Sequence, residues 1–326
     1  MNGNVRLIHY RLIEQLEEVY EVPKGVEMIQ APQVWERSKG EGVTIAILDT
    51  GCDTTHPDLK GNIIGGKNFT TDDEGNANIF EDYNGHGTHV AGTIAAKQTN
   101  DHGVMGVAPE AKLLILKVLD RNGSGQYDWI INAIHYAIEQ KVDVISMSLG
   151  GPNDVPELHD AIKTAVLEHN IPVVCAAGNE GDGNHETDEF AYPASYNEVI
   201  SVGAVDLERN SSDFTNSNNQ VDLVAPGEKI TSTFLDGGYA TLSGTSMATP
   251  HISASLALIK NIVEHNFERS ITEAEMYAQL IKRTVPLGNS PRVEGNGMVF
   301  LTLLDHLDKV WNEVIEQIQY PINALE

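Results

Sequence analysis

Residues 42–49 read GVTIAILD, a short apolar run rich in β-branched side chains. A continuous apolar run of that length suits a strand buried on both faces. Similar runs return at AKLLILKVL (111–119), VDVISMSLG (142–150), IPVVCAAGN (171–179), NEVISVGAV (197–205) and VDLVAPG (221–227). Between them, Trp129, Ile130, Ala133, Ile134, Ala137 and Ile138 recur at helical spacing in 126–140. Leu158, Ala161, Ile162, Ala165 and Val166 do the same in 157–169. Alternating strands and helices predict an α/β fold, a parallel β-sheet with helices on both faces. No internal repeat, low-complexity linker or second core interrupts it. One main domain is expected over 22–304, with an N-terminal extension (1–21) and a helical tail (305–326). Leu304, Leu307, Val310 and Trp311 fall on one face of the tail helix.

The 326 residues carry a net charge of −26. That balance argues against nucleic acid or an anionic membrane as partner and leaves carboxylates for hard cations. The first residues lack a cationic stretch followed by a long apolar run, and no stretch approaches a membrane-spanning length. Cys52 and Cys175 lie in apolar, strand-like settings, which predicts buried thiols and no disulfide. A cytoplasmic location is the expectation.

Ligands of open α/β sheets gather at the carboxyl ends of the strands. Asp49, Ser148-Leu149-Gly150 and Ala177-Gly178-Asn179 end three of the runs. In LSGTSMATPHISASLALIK (242–260), Ser246 stands where a glycine-containing turn enters an apolar helix. Unpaired N–H groups and partial positive charge at a helix start suit a developing oxyanion. A plain N-cap serine is the alternative. Pro250 is expected in the first helical turn, where its missing N–H costs nothing. In NGHGTHVAGTIAA (84–96), His86 suits general-base work. His86 and His89 together suit a metal, and either suits a core. In ILDTGCDTTHPDL (47–59), Asp49 ends a buried strand. There it serves as the partner of an imidazole or as a turn residue.

Taken together, Asp49-Thr50-Gly51, Asn84-Gly85-His86-Gly87-Thr88-His89 and Gly244-Thr245-Ser246-Met247-Ala248 resemble the three signature blocks of subtilisin-like serine proteases. The resemblance runs from about Pro23 to the 280s. It implies a subtilisin-like fold and an endopeptidase that cuts peptide bonds through an acyl-enzyme. Ser246 would be the nucleophile, His86 the base and Asp49 its orienter, with Asn179 the oxyanion-hole amide. Gly123, Ser124 and Gly125 resemble one edge that pairs with a bound peptide, and Ser148, Leu149 and Gly150 the opposite edge. Leu119, Tyr127, Ile130 and Leu149 match an apolar pocket four residues before the scissile bond. Ala176, Ala177 and Gly178 match walls of the primary pocket, Ala191 its floor and Glu180 its rim. The family also implies structural Ca²⁺. Asp58 and Asn100 would offer side-chain oxygens, and Gln98, His102 and Val104 backbone carbonyls.

The first 21 residues resemble the short extension of the intracellular branch. There a Leu-Ile-Pro-Tyr-like segment lies across the active site until proteolysis removes it. Leu7, Ile8, His9 and Tyr10 would be that inhibitory segment, with His9 where relatives carry proline. Proline fixes φ and removes a donor, so His9 implies a leakier brake. The branch also implies a homodimer. Two rivals stand beside this reading. One is a metal-dependent hydrolase built on His86, His89 and Asp49. The other is a binding protein on a protease scaffold.

Overall fold

The two-sided burial of the apolar runs follows from alternation along each strand. In 44–49, Ile45 and Ile47 join one core cluster while Ala46 and Leu48 join the other. Successive strand side chains point to opposite faces. A run with no polar member therefore needs helices on both sides.

The computed structural model describes residues 4–98 and 102–323. Strands β1 (Asn4–Leu7), β2 (Arg11–Leu16) and β3 (Tyr20–Glu21) come first, then helix α1 (Lys24–Met28). Next are β4 (Thr44–Asp49), β5 (Ile63–Asn68), α2 (His86–Ala95), β6 (Gly103–Val104) and β7 (Lys112–Lys117). The middle of the chain supplies β8 (Ser124–Gln126), α3 (Tyr127–Glu139), β9 (Val144–Met147), β10 (Leu149–Gly150) and α4 (Pro156–Lys163). After β11 (Val173–Ala176), β12 (Val199–Val205) and β13 (Leu223–Pro226) come β14 (Ile230–Thr233), β15 (Tyr239–Ser243) and α5 (Thr245–Phe267). The remainder holds α6 (Glu273–Ile281), β16 (Thr284–Val285), α7 (Pro291–Glu294), β17 (Met298–Val299) and α8 (Leu303–Asn323).

The main sheet runs β16-β17-β13-β12-β11-β9-β4-β7-β5. Every pairing in it is parallel except β16 with β17. Helices α2 and α5 pack on one face, α3 and α4 on the other. This is the expected α/β architecture, and it brings the ends of β4, β9 and β11 to one edge. Two details differ from the sequence pattern. Tyr127, not Trp129, is the aromatic that α3 buries, because the helix starts at Tyr127 and aims its first residue at the sheet. Helix α4 stops at Lys163, and a π turn over Thr164–Glu168 carries Ala165 and Val166 to the core.

The extension adds a strand to each of three small sheets and none to the large one. β1 lies between β10 and β8, β2 pairs with β15, and β3 pairs with β6. At the other end, α8 exposes Leu307, Val310, Trp311 and Val314. Among the described residues no helix is long and apolar enough to cross a membrane. Cys52 and Cys175 are both buried and free, as expected.

Candidate active site

Asp49, the last residue of β4, is buried. Its Oδ1 accepts from His86 Nδ1 at 2.7 Å and from the Thr50 N–H at 2.7 Å. His86, fully buried, opens α2. The approach is close: a Cβ on Gly87 would lie 2.2 Å from the Gly51 carbonyl oxygen. Only glycine lets the helix start press on the strand end. Nδ1 donates to the carboxylate, so the ring's other nitrogen carries the lone pair. That Nε2 has no hydrogen-bond partner among the described residues.

A residue that sequence reasoning passed over builds this turn. Asp82 is buried and accepts from the Asn84, Gly85 and Thr88 N–H groups and from the Thr50 and Thr88 hydroxyls. Thr50 Oγ1 in turn accepts from the Gly87 N–H at 2.9 Å. Asp82 thus ties the end of β4 to the start of α2 and sets how the His86 ring meets Asp49. The only local sign was an acidic residue four positions before His86. Lys117 was missed too. It ends β7 beside Asp49 and is fully buried. Its Nζ donates to the Thr50 carbonyl at 2.5 Å and pairs with Asp72 at 3.1 Å. Burial alone would raise the Asp72 carboxyl, but Lys117 and Arg121 hold it below the usual range.

Ser246 is the second residue of α5. Its Oγ donates to the Ser148 carbonyl at 3.3 Å, and Ser148 Oγ donates to the Ser246 carbonyl at 3.2 Å. The second bond depends on Pro250. This proline lies in the second turn of α5, not the first as the sequence suggested. Its missing N–H leaves the carbonyl four residues back, that of Ser246, without a helical partner. Ser148 takes that place and ties α5 to the segment between β9 and β10.

Asn179 follows β11. Its Oδ1 accepts from Thr245 N–H (2.9 Å) and Thr245 Oγ1 (2.8 Å), so its Nδ2 faces outward. There it meets the His9 carbonyl at 2.5 Å. Between the two edges predicted to hold peptide lies the protein's own β1. Val5 pairs with Gly125, and Arg6 lies between Ser124 and Gly150. Leu7 faces Leu149 and donates its N–H to the Gly123 carbonyl at 2.8 Å. Val5 is buried in the cluster that contains Leu119, Tyr127, Ile130 and Leu149. Ile8 lines a cleft of about 470 Å³ with Gly150, Glu180, Phe190 and Ala191. Ala176 and Ala177 are inaccessible and do not line it. A Cβ on Gly178 would strike Asn216, so Gly178 packs inward. Phe190, exposed at the cleft mouth, was not foreseen. Tyr10 stacks obliquely on His86 with ring centroids 5.0 Å apart, and its hydroxyl donates to Asn84 Oδ1.

His89 is also fully buried, but its Nε2 lies 3.0 Å and 3.1 Å from the Ile230 and Ala240 carbonyls and donates to both. It staples α2 to β14 and β15, so Nε2 is spent on backbone carbonyls and not on a metal. Burial pulls its pKa down to about 3. His251, on α5, donates from Nδ1 to the Met247 carbonyl, and burial pulls it to about 4.

Asp58 is buried, and burial raises its carboxyl. Its Oδ2 accepts from the Val104 N–H and the Tyr239 hydroxyl. Gln98 Nε2 reaches the Gly103 carbonyl at 3.4 Å. A buried carboxylate against a loop rich in backbone carbonyls suits a hard cation. Asn100 lies outside the described residues, and His102 begins the strand-like return of the loop. Among the described residues no group of three or more His, Cys, Asp or Glu gathers to hold a metal.

The parallel α/β sheet carries a buried carboxylate–imidazole pair and a helix-start serine, and comparison with known proteins gives the class. Residues 40–297 match the subtilase family model. The chain is 64% identical over 312 residues to an intracellular serine protease of Paenibacillus polymyxa, covering 96% of this chain and 95% of that one. It is 59% identical over 309 residues to the major intracellular serine protease of Bacillus subtilis (strain 168), covering 94% and 96%. Subtilisin E of Bacillus subtilis (strain 168) is 43% identical over 275 residues, 84% of this chain and 69% of that one. The chain belongs to the subtilase family. It is a subtilisin-like serine protease, a hydrolase whose substrates are polypeptides, and the metal-hydrolase reading falls.

Proposed function

We propose that this protein is an intracellular serine endopeptidase of broad specificity, made as a precursor that its own N-terminal extension holds inactive. The observation that carries the reading is the buried His86 Nδ1–Asp49 bond of 2.7 Å, with His86 Nε2 left to accept a proton. In this reading Ser246 Oγ turns from the Ser148 carbonyl toward Nε2, gives up its proton and attacks the peptide carbonyl carbon. Asp49 steadies the imidazolium that results. Asn179 Nδ2 and the Ser246 N–H receive the oxyanion. The imidazolium then protonates the leaving amine, and water repeats the sequence on the acyl-enzyme. Strand pairing reads backbone, which supports broad specificity. Both intracellular proteases named above support the compartment.

The brake has a geometric basis. By side-chain position, Val5 occupies the far pocket and Ile8 the near cleft, so the bond to be cut would be Ile8–His9. Yet the carbonyl held by Asn179 is that of His9. Side chains and carbonyls are out of step by one residue, which leaves the Ile8 carbonyl away from its donor. Without the proline of relatives, nothing in the His9 ring locks that offset. Slow self-release is the consequence. Ca²⁺ held by Asp58, Asn100 and the Gln98, His102 and Val104 carbonyls would neutralise the buried carboxylate and brace the loop. The exposed apolar face of α8 supports a homodimer.

The test is intact mass against time with calcium, for wild type and Ser246→Ala, beside hydrolysis of a generic peptide. The reading expects wild type to lose its first residues as activity rises while Ser246→Ala stays whole. An active wild type that keeps its extension would sink the brake and leave the serine assignment standing.

A further inference from the structure

The extension does not end its contact with the enzyme at the active site. After Tyr10 the chain continues directly into β2, which lies antiparallel on β15 from Arg11 opposite Ser243 to Leu16 opposite Tyr239. β15 leads through Gly244 into Ser246. β2 is the outer strand of the β14-β15-β2 sheet, so its removal leaves β15 as an open edge. An open edge is a template for another extended chain.

What β2 contributes to this contact is mostly backbone. The side chains of Arg11 through Gln15 are all exposed. The side-chain contacts are one hydrogen bond in the middle, from the Thr241 hydroxyl to Glu14 at 3.3 Å, and packing at the two ends. Tyr10 packs on His86 at one end. At the other, Leu16 packs on the main core and lines a cleft of about 670 Å³ with Phe234, Leu235 and Tyr239. The pairing is also imperfect. Leu242 faces Leu12 and Thr241 faces Glu14, so Ile13 is bulged out.

We infer that the β15 edge and the Phe234–Leu235–Tyr239 cleft form a long binding track for the part of a substrate beyond the scissile bond. The ligand is an extended, unfolded polypeptide segment. Its middle is read by backbone pairing, and its far end by one apolar side chain in the cleft. In the extension Leu16 lies seven residues after His9, whose carbonyl meets Asn179. A substrate paired without the bulge reaches the cleft one residue sooner, at the sixth position. Short peptides never reach it. The inference rests on the protein being a peptidase whose extension can leave the site.

The full chain can be tested as it stands. The fraction of molecules with the extension displaced scales the apparent affinity of every substrate alike. The ratio of kcat/KM for two substrates therefore cancels it. Three amidated peptides share the same residues up to the third position after the cut. The first stops there. The second continues through the eighth position with leucine at the sixth and seventh. The third has aspartate at those two places. The second should exceed the first by about tenfold in kcat/KM, mainly through KM and mostly from the leucine side chain entering the cleft. The third should lose most of that gain, and Leu235→Asp should shrink the ratio of the second to the first. Equal values for all three peptides would overturn the track while leaving the peptidase intact. A gain that aspartate does not diminish would reduce the site to the bare β15 edge and overturn the cleft. No cleavage of any peptide would overturn the peptidase reading itself, and this inference with it.

Discussion

The first turn of α2 carries His86, and the same turn ends three residues later at His89. Both rings are fully buried, yet they are wired in opposite senses. His86 spends Nδ1 on a carboxylate and keeps Nε2 without a partner among the described residues. His89 spends Nε2 on two carbonyls, joining the helix to β14 and β15. What differs is the chemistry opposite each ring. A carboxylate stabilises an imidazolium, whereas burial keeps the His89 ring neutral in spite of its two carbonyl acceptors. In the proposed mechanism one histidine serves chemistry and the other cohesion, and the contrast makes separable claims.

The largest effect is expected at His86. Replacing it with alanine should lower kcat by about a millionfold, a magnitude taken from subtilisin itself, with little change in the unfolding midpoint. Asn179→Ala should cost about a hundredfold to a thousandfold in kcat, again the magnitude of subtilisin's own asparagine. It should also slow the self-release of the extension, even though the same amide holds the His9 carbonyl, because the weakened active site makes that cut. His89→Leu should do the reverse. Stability should fall by about 3 kcal/mol as two buried carbonyls lose their donor, while each folded molecule keeps its turnover. Urea melts on a Ser246→Ala background, free of self-digestion, would measure that. If His89→Leu abolished kcat in fully folded protein, the division between the two rings would be wrong.

The two buried rings also set a pH dependence. His89 and His251 titrate near 3 and 4 in the folded protein, against about 6.5 when exposed. The unfolded chain therefore takes up protons first as the pH falls. Their stabilising contribution is whole above about pH 6.5 and drains as the pH drops toward 4 and then 3, by roughly 1.4 kcal/mol per unit for each ring. The urea midpoint of Ser246→Ala should fall between pH 7 and pH 5. In His89→Leu, part of that slope should vanish.

The sheet and the site blocks were legible because both are written locally. Six apolar runs announce buried strands, and Asp49, His86 and Ser246 each sit at a junction with its own sequence signal. The supports were harder to read. Asp82 stands in DYNG, which reads as a solvated turn, and only the folded chain brings Thr50 and Thr88 to its carboxylate. Lys117 closes an apolar run where a lysine would ordinarily reach water, but Asp72 arrives from another part of the chain to meet it. Pro250 was placed one turn too early because a missing N–H is tolerated wherever a side chain serves the orphaned carbonyl, and Ser148 is remote in sequence. The strands of the extension could not be foreseen from propensity. Leu12 and Ile13 are exposed, and β2 is a strand because β15 offers an edge.

The tether between β2 and β3 carries a consequence of its own. Glu17 and Glu18 are exposed, while Val19 is buried and its carbonyl accepts from the Gly103 N–H at 2.7 Å. While that link is whole, the proposed brake is a ligand on a leash, presented to the cleft at an effective concentration on the order of millimolar. A single cut at Glu17 or Glu18 breaks none of the β1 or β2 pairings. It turns an intramolecular ligand into a dissociable peptide, whose hold depends on how much of it remains in solution. Release would then be governed by dilution, and a crowded preparation of cut protein would stay quieter than the same molecules spread thin.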